Sequence, residues 1–571
     1  MFFVLILHAQ KTISLQVFCT DSILSSKEKD ELLKLPKSVS SLQQINPLLQ
    51  SLLLKLYDNG YITASIDVIK NDATLCKVYI KTAQQYKWIK LSYKKTDEEM
   101  LSKSGYRDAL YNNNTFSAKQ FSNLAEKILN YCENNGYPFS TVKLDSIKIN
   151  DKSIGAYLDI EKNKKITIDS VLIKGSAKIP LNYLYHYLGI FPGSLYNESA
   201  IRNISARIKS LPFVKETKAY EVYFTEKNAQ IVLYLDNKLA SRLNGIAGIM
   251  PSENKAQKWQ FTGDAEIKSI NAIGKGETLN LNWKKLSTKT QELNLSLIVP
   301  YLIKTPFGLE SNLKVYIKDT LYRTIDVGGG IQYYYSGNNY VKATIQNSSS
   351  SIISTSQFAN ITTLPSYADF SSTLYGTGIK IEKLDYRYNP RKGIVADVNI
   401  AAGQKIIKQN VFLDASLYKG LDLNTRQIKG SAKIDTYIPL WKRFVLNLGL
   451  NAALINSPTI FENELFRLGG INTLRGFDDQ SILASSYAIG TIEYRYLLEQ
   501  NSYLHVFFNG AYYENTSRGN AIFDTPYGFG AGISFETKAG IVKFDYALGK
   551  QFDNPIQLRS GKIHVGLVGQ F

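Results

Sequence analysis

An arginine set among glycines and aromatic residues is the most distinctive chemical feature of the sequence. Glycines let a backbone turn tightly and pass close to neighbouring chain. A guanidinium held away from water needs a carboxylate partner, preferably one that accepts two parallel hydrogen bonds. This chemistry positions a loop and does not by itself catalyse a reaction. The block comprises Phe466, Gly469, Gly470, Leu474, Arg475, Gly476 and Phe477.

A carboxylate for Arg475 is available on the next extended segment. Side chains alternate between the two faces of a strand, so Glu493 and Arg495 share one face. The connection that carries Arg475 runs from near Leu454 to near Tyr487. It has about thirty residues, far more than a hairpin turn, and such long loops are usually functional or disordered. We expect a functional loop whose arginine pairs with Glu493; the alternative is a solvated charge on a surface loop.

From about residue 239 onward, apolar and polar side chains alternate as in strands with two different faces. Examples are the segments 444–451 and 527–535, and in the second of these glycines occupy alternate positions. A closed barrel suits such strands, because lipid covers the apolar face and closure pairs every backbone group. About 330 residues, at roughly 20 for each strand and its connection, predict about 16 strands. The glycine row lies inside a strand with no following helix, so it is not a phosphate-binding loop.

Three repeats precede the alternating segment. In each one a helical pattern ends just before an aromatic residue, and these residues, Tyr61, Tyr137 and Phe213, are 76 positions apart both times. Two extended runs follow each of the helices, and strand-like openings at Trp88 and Ile168 precede the second and third. The third helix is predicted over 201–211. The repeating unit is therefore predicted to be β-α-α-β-β.

The composition argues against nucleic-acid binding, metal binding and catalysis. The formal net charge of +18 is evenly divided: residues 1–238 hold 32 Lys and Arg against 23 Asp and Glu, and residues 239–571 hold 35 against 26. Neither half has a dense basic run, so anionic lipid or general solubility explains the charge and nucleic acid is not an expected partner. Three irregularly spaced cysteines and four scattered histidines form no ligand or disulfide pattern. We expect a protein that is not an enzyme, with no catalytic residues, no metal and no cofactor.

Together, the Arg475 block, the alternating segment and the three repeats resemble the BamA/TamA superfamily of outer-membrane assembly and translocation proteins. In that family the Arg-Gly-Phe loop folds back into the lumen of a β-barrel, and the repeats are POTRA modules. The resemblance implies three α+β POTRA repeats followed by a transmembrane antiparallel β-barrel of about 16 strands. The implied domains are POTRA-like modules at 11–84, 85–163 and 164–238, and a transmembrane β-barrel at 239–571.

The first ten residues, 1–10, resemble the end of a secretory signal. An apolar run from Phe2 to Leu7 is followed by Ala9 as a cleavage position, so the segment is interpreted as a signal-peptide remnant. A start further upstream, or a buried strand, is the alternative.

The resemblance also implies roles for residues outside the loop. The family's strand after the loop has a Glu-aromatic-Arg pattern, which Glu493 and Arg495 match. A second family acid is matched best by Asn509, which carries no charge, so Glu493 is expected to provide more of the pairing with Arg475. Glycines in the first and last strands imply a weakly paired seam that serves as a lateral gate. The last strand resembles the C-terminal β-signal by which outer-membrane barrels are themselves inserted, at Val565, Leu567 and Phe571.

This resemblance implies a function at the outer membrane of a Gram-negative bacterium. The POTRA modules, in the periplasm, would receive unfolded outer-membrane or secreted client proteins, and the barrel, in outer-membrane lipid, would insert or translocate them through the gate. Three modules favour the TamA branch, which has a large inner-membrane-anchored TamB-like partner; the BamA branch usually has five modules and two-partner-secretion transporters have two. The alternatives are a dedicated secretion pore for a partner protein and a passive diffusion porin. The porin explains neither the repeats nor the Arg475 block.

Overall fold

The computed structural model describes residues 13–21, 23–36, 38–72, 74–251, 259–285, 289–355, 358, 361–386, 389–518, 521–537 and 540–568. The interpretation of residues 1–10 as a signal remnant and the role assigned to Phe571 lie outside these residues. The chain forms two compact units. The first runs to Asp169 and adds Pro192–Ile201 and Phe224–Ala229, and the second comprises Ser170–Phe191, Arg202–Tyr223 and the chain from Gln230 onward.

The first two repeats fold as mixed sheets covered by helices. In the first the sheet order is β2-β1-β4-β3, with β1 parallel to β4, and in the second it is β5-β7-β6, with β5 parallel to β7. The elements of the first are β1 (Ile13–Cys19), α1 (Ser26–Leu32), β2 (Ser38–Val39), α2 (Ile45–Asp58), β3 (Ser65–Asn71) and β4 (Leu75–Lys81). Those of the second are β5 (Lys87–Ser92), α3 (Glu98–Lys103), α4 (Ala118–Asn134), β6 (Thr141–Asn150) and β7 (Ser153–Glu161).

Helical periodicity explains how these modules bury their cores. Helix α2 buries four residues at helical spacing, and α4 does the same with three, so each helix turns one apolar stripe toward its sheet. Gly60 and Gly136 follow the two helices with φ of +86° and +91°, a conformation that glycine adopts without steric cost. The buried stripes are Ile45, Leu49, Leu52 and Leu56 in α2, and Leu124, Ile128 and Cys132 in α4.

The third repeat also has one strand before its helices and two after them, with sheet order β8-β10-β9. The single helix predicted over 201–211 is wrong in detail, because two short helices meet at Asn203, which is the N-cap residue of the second. Asparagine competes with helical hydrogen bonding through its own side chain and favours such a break. The elements are β8 (Thr167–Lys174), α5 (Leu181–Leu188), α6 (Glu198–Arg202), α7 (Ile204–Ser210), β9 (Val214–Phe224) and β10 (Asn228–Asn237).

The remainder of the chain forms one large antiparallel sheet and a small hairpin. The first strands are β11 (Arg242–Pro251), β12 (Trp259–Ile270), β13 (Thr278–Lys285), β14 (Gln291–Val299), β15 (Phe307–Lys318), β16 (Tyr322–Ser336), β17 (Asn339–Ile352), β18 (Phe370–Leu384), β19 (Gly393–Ile407), β20 (Asn424–Trp441) and β21 (Phe444–Asn456). The strands that follow are β22 (Phe466–Leu468), β23 (Ile482–Ala484), β24 (Ser486–Leu497), β25 (Tyr503–Asn515), β26 (Ile522–Asp524), β27 (Tyr527–Thr537), β28 (Gly540–Lys550) and β29 (Lys562–Val568).

Over the described residues, the large sheet has 17 strands that follow one another in chain order, with β22 and β23 set apart as a separate pair. One of the 17, β26, is only three residues long. The two ends of the order, β11 and β29, contact each other, which brings the edges of the sheet together as a barrel. The predicted fold class, α+β repeats followed by an antiparallel barrel of about 16 strands, is confirmed.

Alternation along the strands divides apolar from polar side chains. In β24, Ile492 is 53% exposed whereas Glu493, the next residue, is 3% exposed, and in β25 Val506 and Phe508 are exposed whereas Phe507 and Asn509 are buried. The exposed apolar side chains form the outer face, which is the face that lipid covers in a membrane barrel, and the buried side chains line the interior. In the described part of the chain, no helix has the length and apolar character needed to cross a membrane.

Candidate functional site

The long connection between β21 and β24 folds back on itself. Strands β22 and β23 pair as a hairpin, with Phe466 opposite Ala484. We call residues 457–468 the loop base and residues 469–481 the loop tip. The base includes a 3-10 turn at Glu462–Glu464. The two parts are held by different strands.

The loop base is fixed by charges of opposite sign. Glu464 is ion-paired and hydrogen-bonded to Lys405 of β19, and both side chains are fully buried. Gln427 of β20 donates to the other carboxylate oxygen of Glu464 at 2.7 Å. Next to it, Glu462 lies 2.8 Å from the Nζ atom of Lys318 of β15. Because a buried charge without its partner is costly, these pairs hold the base against the barrel wall.

Two polar side chains add to this anchorage. The amide of Asn463 donates to the Ser350 hydroxyl and to the Ala368 carbonyl, both at 2.8 Å. Arg467 donates to the Tyr322 hydroxyl at 2.6 Å and lies over the Tyr316 ring at 4.2 Å from its centroid. The base is thus attached to strands β15 to β20 by contacts that the sequence reading did not anticipate.

Arg475, in the loop tip, is buried and has partners on three strands. Its Nη1 atom donates to Glu493 Oε2 of β24 at 2.7 Å, and its Nε atom donates to Asn509 Oδ1 of β25 at 2.9 Å. The guanidinium lies 3.5 Å from the centroid of the Phe507 ring, so a cation–π contact supplements the hydrogen bonds. The structure brings together Arg475, Glu493 and Asn509, the three residues that the sequence reading grouped.

Glu493 accepts from a second arginine as well. The Nε atom of Arg495 donates to Glu493 Oε1 at 2.8 Å, so one carboxylate joins two guanidinium groups. Arg495 also donates to Asn389 at 3.2 Å and lies between the rings of Tyr437 and Tyr503. Sharing one acid between two arginines would leave positive charge uncompensated unless a further acid lies nearby.

That further acid is Asp545 of β28, which the sequence reading assigned no role. Its Oδ2 atom lies 3.5 Å from Arg475 Nη1 and 3.3 Å from Lys543 Nζ. The Nε2 atom of His505 lies 2.9 Å from Oδ1, within ion-pair distance but without the alignment of a hydrogen bond. The sequence does contain an indication of this position, because Asp545 alternates with apolar residues and is therefore expected on the lumen face. The uncharged Asn509 is therefore complemented by an acid from another strand.

Glycines let the tip pack directly against the barrel wall. A Cβ atom on Gly528 of β27 would overlap the carbonyl oxygen of Arg475, and one on Gly476 would lie 2.8 Å from the backbone of Leu548. Gly549, which pairs with Gly528, would place a Cβ 2.6 Å from the carbonyl oxygen of Gly476. Gly528, the first glycine of the row in β27, therefore has a packing role: it admits the backbone that carries Arg475.

The other residues of the block shape the loop. Gly469, Gly470 and Gly476 have φ of +116°, +82° and +96°, which favour glycine. Phe466 meets Tyr487 edge to face at 5.5 Å between ring centroids. Leu474 and Phe477 are buried in one apolar cluster that also contains Leu468, Ile482, Ala484, Ile489 and Tyr513.

The tip also contacts the last strand. The Gly476 amide donates to Nε2 of His564, and Asp478 lies 2.7 Å from Lys562 Nζ, both partners being in β29. In the proposed C-terminal signal, Val565 is exposed on the outer face, and the backbone of Leu567 pairs with Val542 of β28. Over the described residues, no group of three or more His, Cys, Asp or Glu side chains could hold a metal ion. The chemistry of this site is electrostatic anchorage of a loop.

Sequence comparison places the chain in a family. A model of the Omp85 superfamily domain matches residues 271–571, more than half of the chain. The chain belongs to the Omp85 superfamily. This confirms the predicted BamA/TamA superfamily, although it does not distinguish the TamA branch. As an Omp85 protein, the chain acts in protein assembly or secretion at the outer membrane.

Two solved structures of CdiB show the same fold at low identity. This Omp85 chain is similar to CdiB from Escherichia coli, with 13% identity, a TM-score of 0.54 and coverage of 96% of this chain and 100% of that one. CdiB from Acinetobacter baumannii is similar with 12% identity and a TM-score of 0.52, and the match covers 96% of this chain and 100% of that one. BamA from Haemophilus ducreyi lacking POTRA domains 1–3 is also matched, with 17% identity and a TM-score of 0.44. That match covers 85% of this chain and 100% of the other. No curated protein matches the sequence.

Proposed function

We propose that this Omp85 protein is a TamA-like assembly factor. Its periplasmic POTRA modules receive unfolded outer-membrane or secreted client proteins. Its barrel inserts or translocates these clients through a lateral gate between β11 and β29. The function requires no enzymatic step and no cofactor, because strand pairing and transfer into lipid drive it.

The seam between β11 and β29 is the observation that carries this proposal. These strands end the hydrogen-bonded strand order, and they contact each other without forming a ladder over the described residues. Over the described residues β29 runs from Lys562 to Val568 and pairs with β28 on its other side. An unpaired strand edge is a template for another strand. A client strand that pairs with such an edge would gain backbone hydrogen bonds that lipid cannot provide.

The modules offer edges of their own. In the first two sheets β3 and β6 are edge strands, and each exposes large apolar side chains, including Val68 and Ile149. Addition of an extended client segment to such an edge is a recurrent mode of peptide recognition. The count of three modules supports the TamA-like assignment and, with it, a TamB-like partner anchored in the inner membrane.

A dedicated secretion pore is the second candidate, and the lumen favours it. A cavity of about 640 Å³ lies inside the barrel, and its charged lining residues comprise five basic and five acidic side chains. The basic side chains include Lys314 and Lys342, and the acidic side chains include Glu292 and Glu310. A cavity lined by charges of both signs suits passage of an extended chain of either sign.

Depletion of the protein, followed by quantification of the outer-membrane proteome, tests the proposal. The TamA-like function predicts loss of a narrow set of surface proteins, with an inner-membrane-anchored chain co-purifying with the full protein. Loss of one secreted protein encoded beside the gene would favour the dedicated pore. An unchanged proteome with altered permeability to small solutes would contradict both candidates in favour of a porin.

A further inference from the structure

We propose that the loop tip is a clasp across the seam, and that β11–β14 form the lobe that it releases when the gate opens. The inference deepens the proposed function and rests on its gate. It follows from how unequally the tip is attached to the two sides of the seam.

The C-terminal side holds the tip firmly. Arg475 is buried against Glu493 and Asn509, and the tip backbone packs on the glycines of β27 and β28. Asp478 also lies 2.7 Å from Lys562 Nζ of β29, but this pair is exposed and adds little to the attachment. Because several of these charges are buried, separating the tip from β24–β29 would leave them without partners. The tip therefore moves with the C-terminal strands.

Among the described residues, two side-chain contacts attach the tip to the N-terminal side. Asp479 Oδ2 lies 3.5 Å from Lys284 Nζ of β13, and Gln480 Nε2 donates to Glu292 Oε2 of β14 at 3.1 Å. The Asp479 side chain is 47% exposed. Solvent weakens such pairs, and exposed ion pairs contribute little. The clasp is therefore weak on the side that faces β11–β14.

Release on that side leaves neither charged strand residue without a partner, and the carboxylate of Asp479 is already partly exposed to solvent. Lys284 also lies 3.4 Å from Asp264 of β12, and Glu292 also lies 3.5 Å from Lys314 of β15. When the tip withdraws, each partner keeps another of opposite charge. Since β11 pairs with β12, β12 with β13 and β13 with β14, the four strands can swing together while their ladders stay intact.

Two neighbouring aspartates provide a matched pair of variants. Asp479→Asn weakens the contact to β13, whereas Asp478→Asn weakens the contact to β29, and both sit in the same tip. Spin labels at cysteines replacing Ile267 of β12 and Val565 of β29, both exposed, report the width of the seam by pulsed electron paramagnetic resonance. The full chain carries alanine at Cys19, Cys76 and Cys132. A second label pair, Val506 with Val565, reports that the C-terminal side keeps its fold.

We expect Asp479→Asn to raise the fraction of long Ile267–Val565 label distances by about 1.5- to fivefold, the range for loss of an exposed ion pair. Asp478→Asn should leave this fraction as in the parent chain. Equal distributions in Asp479→Asn and the parent, or equal effects of both variants, would overturn the clasp while an observed long-distance population still supports the gate. A single short distance in every variant, with client chains added, would overturn the gate and with it the proposed function.

Discussion

At the scale of single residues, the site is a set of buried charges arranged so that each has an opposite neighbour. Glu493 connects Arg475 with Arg495, and Asp545 lies between Arg475 and Lys543. Removing one member of such a set costs more than the set contributes, because the remaining charge stays buried without compensation. The arrangement therefore fixes the loop in one position.

Replacement of Arg475 tests this arrangement. Arg475→Ala should destabilise the docked tip by about 3 kcal/mol, the lower end of the range for breaking a buried pair, because Glu493 keeps Arg495. Arg475→Lys keeps the charge but not the forked geometry, so an intermediate effect is expected. Hydrogen exchange of residues 469–481 in the full chain, with client assembly in cells, is the measurement. Hydrogen exchange and client assembly as in the parent protein for Arg475→Ala would contradict the role of these buried charges in fixing the loop tip.

The sequence predicted the pairing of Arg475 with Glu493 but not the contacts of Asp545 or of the loop base, and the reason is physical. Glu493 and Arg495 could be placed on one face because alternation along a strand is local. Asp545 lies 70 positions from Arg475, so its proximity depends on how far the loop reaches into the lumen. The anchors of the loop base, such as Lys405 with Glu464, depend on the same fold and were missed for the same reason.

At the scale of elements, glycine in the wall matters as much as charge. β27 and β28 place Gly528 opposite Gly549, and the tip backbone fills the space that side chains would otherwise take. Alternation in the sequence places these two glycines on one face of the sheet, but it does not reveal that the backbone of the loop tip packs against them.

A Cβ atom at Gly528 should therefore displace the loop. Gly528→Ala is expected to impair client assembly as Arg475→Ala does, because the new methyl group overlaps the Arg475 carbonyl oxygen. Gly490→Ala in β24 is the control, since the nearest atom to its added Cβ is 3.8 Å away. Assembly assays in cells depleted of the parent protein compare the two. A normal phenotype for Gly528→Ala, or the same defect in both, would contradict the packing role.

The first module contains an acid whose ionisation contributes to stability. Partial burial would raise the pKa of Asp21, but hydrogen bonds from Thr82, Cys19 and the Ala83 amide outweigh it and hold the pKa below its usual range. A lowered pKa in the folded state stabilises the module above the unfolded value of about 3.9, and this contribution is lost as the pH falls through the folded value.

Asp21→Asn should therefore weaken protection of β1 and β4 at neutral pH by about 1–2 kcal/mol, the cost of a lost charged hydrogen-bond set. The difference from the parent chain should shrink below pH 4. Hydrogen exchange of the full protein at both pH values checks this, with Asp67→Asn as a more exposed control. Equal protection of the parent and Asp21→Asn at neutral pH would refute it.

At the scale of the whole molecule, sequence repetition and the alternation of apolar and polar residues predicted most of the fold. The equal spacing of Tyr61, Tyr137 and Phe213 predicted three modules, and alternation after residue 239 predicted a barrel of about 16 strands, because both periodicities follow from local geometry. The break at Asn203 and the inclusion of most of the third module in the same compact unit as the barrel were not predicted. The break follows from one asparagine within an otherwise helical pattern, whereas the division into units depends on packing between distant segments.

The central claim is that client strands leave through the seam between β11 and β29. Photoreactive amino acids at Leu243 of β11 and Ile563 of β29, both exposed, would capture a client strand passing there. Ile492 of β24, exposed on the same outer face, is the matched control. The account predicts client adducts in cells from the two seam positions and none from Ile492. Adducts of equal yield at all three positions, or none at the seam while clients are assembled, would contradict it.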